Sequence, residues 1–467
     1  MKINKISIIK YFRLQEIKWG LAMVVLFVMS GCEKFIETNP PHSQITRTIV
    51  FEDSKTANAA MAGIYINMRD GGLLNGLFGG LTYRLGLYAD ELENYAAGVN
   101  YFHANSLFAD DSGVLDTWTK SYNQIYAINS VIEGVKASTA LSIQDKNQLL
   151  GEGLFLRSLI HFYLMNLFGE IPYVNSTDYQ LNSTMGKVSV KSMTEYLTAD
   201  LKQSITLLPL NYSNIQRIRP NRFASYALLA RLMLYNGQWK EAEEAAALII
   251  NNNQYSLQTD LNKVFLKEST ETIWQWESNG AGVNSLEAQL FIFTAGPPAQ
   301  VALTKVLLDA FEQGDQRFTT WTKTLTSGTN KWVHAFKYKE RASTTVSKEY
   351  SIILRLAEQY LIRAEAKAKQ GNFSGALQDL NAIRRRAGLS DLVYANEKDI
   401  INAIEKERRI ELFTEFGHRF FDLKRYGTID AVLKLSKPGW NTNDVLWPLP
   451  AAEININPKL NPQNVGY

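Results

Sequence analysis

Two stretches of this chain read alike at a constant offset, and their likeness restricts what it can fold into. Residues 226–249 run YALLARLMLYNGQWKEAEEAAALI, and residues 360–383 run YLIRAEAKAKQGNFSGALQDLNAI. Tyr226 matches Tyr360, Ala230 matches Ala364, Gly237 matches Gly371, Trp239 matches Phe373, Ala242 matches Ala376 and Ile249 matches Ile383. Each unit reads as a helix, a Gly-x-aromatic turn and a second helix. The alanines let the paired helices approach closely. A hairpin of this kind cannot bury its apolar face alone and stacks on neighbours, as tetratricopeptide-type units do. The spacing therefore predicts a mainly α protein on a helical-repeat scaffold, with Ala230 and Ala364 in equivalent buried positions.

Further helical periods precede the repeats. Ala57, Met61, Ile64 and Tyr65 share a face within 54–70, and Trp118, Tyr122, Ile125, Ile128, Asn129 and Ile132 line 116–135. Residues 147–168 are apolar on all sides, which predicts a buried helix ended by Gly169 and Pro172. Residues 193–207 give another, ended by Pro209. Between the repeats the pattern changes. Trp274 and Trp276 alternate within 272–277, and Trp332, His334, Phe336 and Tyr338 alternate further on. Residues 254–350 therefore read as an irregular, partly β subdomain inserted between helix pairs.

Near the C-terminus, residues 399–427 run DIINAIEKERRIELFTEFGHRFFDLKRYG. Glu407, Glu411 and Glu415 fall four residues apart, a like-charge file costing roughly 0.2–0.5 kcal/mol per pair unless cations reach in. Arg384, Arg385, Arg386, Arg408, Arg409, Arg419, Lys424 and Arg425 are the candidates. This predicts a partly buried ionic and aromatic clasp. The prolines of 447–467 exclude a long helix and predict an extended, docked tail.

The segment ERRIELFTEFGHRFFDLKRYG (407–427) closely resembles the late signature of the SusD/RagB family of Bacteroidetes surface lipoproteins. FLRSLIHFYLMNLFGEIPYV (155–174), LRLAEQYLIRAEAKAKQG (354–371) and LWPLPAAEININPKLNPQNVGY (446–467) fit the same family in order and spacing. The resemblance implies a scaffold of four tetratricopeptide-like helix pairs. It also implies glycan capture and a SusC-like TonB-dependent outer-membrane transporter as partner, capped like a lid. Some relatives handle peptides instead of glycans.

The N-terminus agrees. A basic segment leads into GLAMVVLFVMS (20–30), too short to span a bilayer, then Gly31 and Cys32. Cys32 is the only cysteine and reads as the lipid attachment point. The expected organisation is thus a signal peptide (1–31), a lipidated tether (32–48), an N-terminal helical region with the first repeat (49–253), the insert (254–350), and a C-terminal repeat, clasp and tail (351–467). The formal net charge is +3. Lys2, Lys5, Lys10, Arg13 and Lys18 account for it, so the remainder is nearly neutral and nucleic acid is excluded as a partner.

Enzyme signatures are missing: no HExxH, GxSxG or phosphate-cradling Gly-Lys-Ser occurs. No cofactor and no catalytic residue is implied. A surface glycosidase, which needs only two carboxylates, and a protein-binding repeat adaptor stay open as alternatives. Asp90, Glu91 and Glu93 read as solvated acids at a helix end or loop, with a cation site as the alternative. Saccharides offer flat C–H faces and a rim of hydroxyls, so a site needs exposed rings beside amides. The loop at 94–108 supplies Asn94, Tyr95, Tyr101, Phe102 and Asn105, and the insert supplies Trp276, Trp321 and Trp332. The resemblance implies a site where the N-terminal loop faces the insert. Tyr101 and Trp276 lead on loop position and composition.

Overall fold

A computed structural model describes residues 47–394 and 396–467. Cys32, the signal peptide and nearly all of the tether lie outside these residues. Arg47–Val50 form a short helix, and residues 51–467 cluster as a single unit.

The helices form where apolar spacing and capping agree. Helix α1 (Ser54–Gly71) starts at Asp53, whose carboxylate accepts from the amides of Lys55 and Thr56, and it buries Ala57, Met61, Ile64 and Met68. After α2 (Leu81–Tyr88) comes α3 (Ser112–Ala137), begun by Asp111. Helix α4 (Ile143–Phe168) is capped by Ser142, is buried on nearly every face from Leu149 onward, and stops at Gly169. Then follow α5 (Val190–Leu207), α6 (Arg222–Tyr235) and α7 (Trp239–Ile250). The chain leaves the helical stack here and rejoins it at α8 (Leu356–Lys369) and α9 (Phe373–Arg386). Helices α10 (Glu397–Glu411), α11 (His418–Tyr426) and α12 (Ile429–Ser436) complete the series. Consecutive helices pack in chain order from α3 to α7, and α8 lies against α7, α9 and α10. The architecture is the mainly α, tetratricopeptide-like one that the repeat predicts.

The two repeat units share turn geometry and burial at matched positions. Gly237 and Gly371 both adopt positive φ, 68° and 79°. In each turn the next amide returns to a carbonyl five residues back: Gln238 to Met233 and Asn372 to Lys367, both 2.9 Å. Ala230, Ala242, Ile249, Ala364, Ala376 and Ile383 are all fully buried.

Residues between the units form three two-stranded antiparallel sheets with their partners. Strand β1 (Leu92–Asn94) pairs with β3 (Val301–Leu303), β2 (Thr272–Trp276) with β6 (Ser351–Arg355), and β4 (Thr322–Ser327) with β5 (Asn330–Ala335). The pair β2–β6 joins the start of the insert to its end, with Trp276 opposite Ser351. The insert shares its core with the N-terminal region and the clasp: Phe265, Val301 and Trp321 cluster with Tyr83, Leu92, Ile410 and Phe413.

The clasp is buried and ionic, but its cations differ from those expected. Glu411 pairs with Arg317 at 2.9 Å, Arg355 at 2.6 Å, and Arg386. Glu415 takes Lys337 at 2.5 Å and Arg355 at 2.8 Å, and Glu407 takes Arg317 at 2.6 Å and Arg384. Of the expected candidates, only Arg384 and Arg386 serve the file. Arg408 pairs with Asp422, Arg425 with Glu365, and Arg409 and Arg419 with Asp90. Lys424 donates to the Asn166 carbonyl, and Arg385 stays exposed against Asp391. For Arg408 and Arg409 the reason is helical geometry: residues one or two after a glutamate point to another face. Arg317 and Lys337 of the insert and Arg355 at the end of β6 fill the gap.

The tail docks as expected, with a single helical turn at Ala451–Ile456. The Trp447 amide donates to the Leu167 carbonyl at 2.8 Å, and Asn464 Nδ2 donates to the carbonyls of Phe168 and Trp447.

Candidate functional site

The pairing of β1 with β3 decides where the 94–108 loop goes. Leu92, Glu93 and Asn94 stand opposite Leu303, Ala302 and Val301, and the Tyr95 amide donates to the Gln300 carbonyl at 2.7 Å. The loop is thereby fastened to the insert. Tyr95 is 39% exposed, and its hydroxyl meets the Trp332 side chain on β5. Trp332 rests on Gly296, where an added Cβ would fall 2.2 Å from a ring carbon, so only glycine admits the indole there.

Contacts extend this into a patch. Tyr101, 42% exposed, meets exposed Phe108 edge to face with centroids 5.2 Å apart. Asn100, beside Tyr101, donates to the Tyr83 hydroxyl at 3.2 Å, and Tyr83 packs edge to face on exposed Phe78. Glu93 stands 3.6 Å from His103. Burial and then Lys437 press the His103 imidazole below its ordinary range, against the pull of Glu93. Burial and Glu93 raise the Tyr95 phenol, so it stays a neutral donor. Rings with amides, a carboxylate and a histidine beside them suit a ligand with apolar faces and a hydroxyl rim.

Three of the eight aromatics and amides expected at the site face this surface, Tyr95, Tyr101 and Trp332, while Asn94 is half-buried, its amide donating to the Ala96 carbonyl and its Oδ1 buried. The other four do not face it. Phe102 turns inward onto Trp447, centroids 5.2 Å apart, with the Arg84 guanidinium over its ring. Asn105 is buried and donates to the Tyr88 carbonyl at 2.9 Å. Trp321 is 0% exposed, donates to the Leu261 carbonyl and sits on Phe265. Trp276 is 2% exposed, donates to the Leu74 carbonyl and packs on Trp274 and Tyr65; only one edge borders a cavity of about 360 Å³ beside α1. The alternation at 272–277 is real, but both faces of β2 are covered, so alternation carries no exposure there. Sequence reasoning missed Phe78, Phe108 and His103. Phe108 and His103 fell within the loop already singled out, whereas nothing in the sequence marks Phe78.

The acidic cluster also differs from expectation. Asp90 and Glu91 are buried, not solvated. Asp90 is gripped by Arg409 and Arg419, which hold its carboxyl below the usual range despite burial. Glu91 accepts from the Thr414 amide, and burial, reinforced by Asp90, pushes its carboxyl up to about 7. Among the described residues no group of acids, histidines or cysteines is arranged to hold a metal ion.

The fold and this patch define a class: helical-repeat proteins with an inserted subdomain that presents an aromatic surface. Family models narrow it. The SusD family matches residues 311–467, and a family described as starch-binding, associating with the outer membrane, matches residues 87–234. SusD-like protein P25 of Formosa agariphila is 23% identical over 509 residues, spanning 93% of this chain and 96% of the relative. The starch-binding protein SusD of Bacteroides thetaiotaomicron is 36% identical over 124 residues, 25% of this chain and 21% of the relative. A solved laminarin-binding SusD-like protein shares the fold, with a TM-score of 0.75 at 21% identity, covering 88% of this chain and 99% of the other. The chain belongs to the SusD family, and the model that matches its residues 87–234 is the one described as starch-binding and associating with the outer membrane.

Proposed function

We propose that this protein is a cell-surface glycan-binding lipoprotein that captures oligosaccharides and passes them to a SusC-like TonB-dependent transporter. The observation that carries the reading is the fastening of the 94–108 loop to the insert, which sets Tyr95 beside Trp332 at the surface. The starch-binding relative and the laminarin-binding structure support a glucan or a similar glycan as ligand. Ligand is held and released with no bond broken. The test is a glycan array probed with the purified protein, with peptides alongside. Binding confined to peptides would replace the glycan reading, and release of reducing ends that disappears on mutating one carboxylate pair would make the protein a glycosidase.

The anchor is part of the same proposal. Cys32 carries the lipid that holds the chain on the outer membrane, facing outward. Cys32→Ala should move the protein from the membrane fraction to the soluble one, with its melting temperature unchanged. Retention in membranes of cells lacking the transporter would refute the lipid anchor, and protease shaving of whole cells reads the orientation.

A further inference from the structure

A second cavity, separate from the loop patch, lies between α3, residues 172–183 and the docked tail, with a volume of about 310 Å³. Its aromatic wall is a ladder on α3. Trp118, Tyr122 and Tyr126 recur every four residues, which at a rise of about 1.5 Å per residue sets them about 6 Å apart. Trp118 is buried and supports Tyr122, centroids 4.8 Å apart. The Tyr122 hydroxyl donates to the Pro172 carbonyl, which fixes its ring, and Tyr126 is 50% exposed.

The opposite wall is polar and incompletely satisfied. The side-chain carboxylate of Glu453, on the short helix of the tail, has no hydrogen-bond or ion-pair partner among the described residues, and burial alone raises it. Asn182 Oδ1 is buried without a hydrogen-bond partner. On α3 itself, next to Tyr122, Asn123 stands exposed on the rim. Asn182 Oδ1 is the group that bears the cost of burial without a partner, and a ligand hydroxyl would satisfy it while replacing water at Glu453 and Asn123. These groups come from three separate segments: Asn123 from α3, Asn182 from residues 172–183 and Glu453 from the tail. That arrangement fits a ring of hydroxyls better than a single ammonium.

We infer that this cavity is a second saccharide-binding site, which takes a terminal or branching sugar unit with its apolar face on Tyr126 and its hydroxyls toward Glu453, Asn123 and Asn182. The volume is at the low end of ligand pockets, about 300–1,000 Å³, so it admits a short unit and not a long chain. The chemistry is argued from the cavity itself and does not require the loop patch to bind.

The test is calorimetric titration of the full chain in detergent with maltohexaose, laminarihexaose and chitohexaose, plus a lysine-rich peptide. Tyr126→Ala and Glu453→Gln remove the two walls of the cavity, and Tyr95→Ala disables the loop patch. The expected result is a class of saccharide sites weakened tenfold or more by Tyr126→Ala and by Glu453→Gln, untouched by Tyr95→Ala, with melting temperatures near wild type. Loss of all saccharide binding in Tyr95→Ala, with none in the cavity variants, overturns the second site and leaves glycan capture at the loop standing. The reverse pattern keeps the cavity and removes the loop patch. Binding of none of the three saccharides, or binding of the lysine peptide alone, overturns the inference.

Discussion

Trp276 and Trp332 show how one side chain takes opposite roles in a single insert. Trp276 is enclosed by Trp274, Tyr65 and the Leu74 carbonyl, while Trp332 lies at the surface on Gly296 beside Tyr95. Removing a buried indole costs roughly 3–5 kcal/mol through lost transfer energy and the cavity left behind. Trp276→Ala should therefore melt far lower than wild type. Trp332→Ala and Tyr95→Ala should melt nearly normally and weaken glycan binding at least tenfold, about 1.4 kcal/mol. Thermal melts and calorimetric titrations on the three variants separate the roles; normal affinity in both Tyr95→Ala and Trp332→Ala would move the site elsewhere. The loop was legible because glycines, amides and aromatics cluster in 94–108. The exposure of each ring was not. Whether Trp321 or Trp332 faces water depends on what packs over its strand or helix, and Leu261, Phe265 and Gly296 come from distant segments.

At the scale of elements, the repeat was almost entirely legible, because its signals are local. Gly237 and Gly371 mark turns needing positive φ, and alanines mark the helix contact. Ala364 packs with Ala376, Leu380, Ile400 and Ile404, so α8, α9 and α10 meet around it. Overpacking such a site typically costs about 1–3 kcal/mol. Ala364→Leu and Ala230→Leu should each lower the melting temperature clearly, and neutrality at both would contradict the close helix approach. The clasp was half legible. The file of glutamates announced a need for cations, but Arg317, Lys337 and Arg355 reach it across 411 − 355 = 56 residues or more, and no local pattern encodes that. Once buried, these charges are committed: the pairs do not guarantee extra stability over an apolar core, but loss of one partner strands the other.

Across the whole molecule, the buried acids divide into two groups with opposite consequences for pH. Glu91, Glu287 and Glu349 are pushed up to about 7, chiefly by burial. Between the ordinary glutamate range near 4.5 and about 7, the folded chain keeps protons that the unfolded chain has lost. Unfolding there releases protons, so stability falls as pH rises through that window. Asp90, Glu411, Glu415 and Asp422 are held low by arginine and lysine partners despite burial, so their contribution is present above the unfolded carboxylate range and fades as pH falls below it. Burial lowers Lys424 to about 7, and Lys337 and Lys437 to about 8, so the folded chain binds fewer protons than the unfolded one from there to about 10.5, and stability recovers with rising pH. Burial also holds His103, His161, His334 and His418 below the ordinary imidazole range, which favours the fold as pH rises toward about 6.5 and opposes the raised carboxyls, so the effect of one carboxyl is read by difference between two profiles. Glu91→Gln keeps the shape and removes the titration, so its melting temperature should rise relative to the wild-type one between pH 5 and 7. Scanning calorimetry at matched ionic strength reads both curves, and a constant difference between them across that window would show that the Glu91 carboxyl titrates as it does in the unfolded chain.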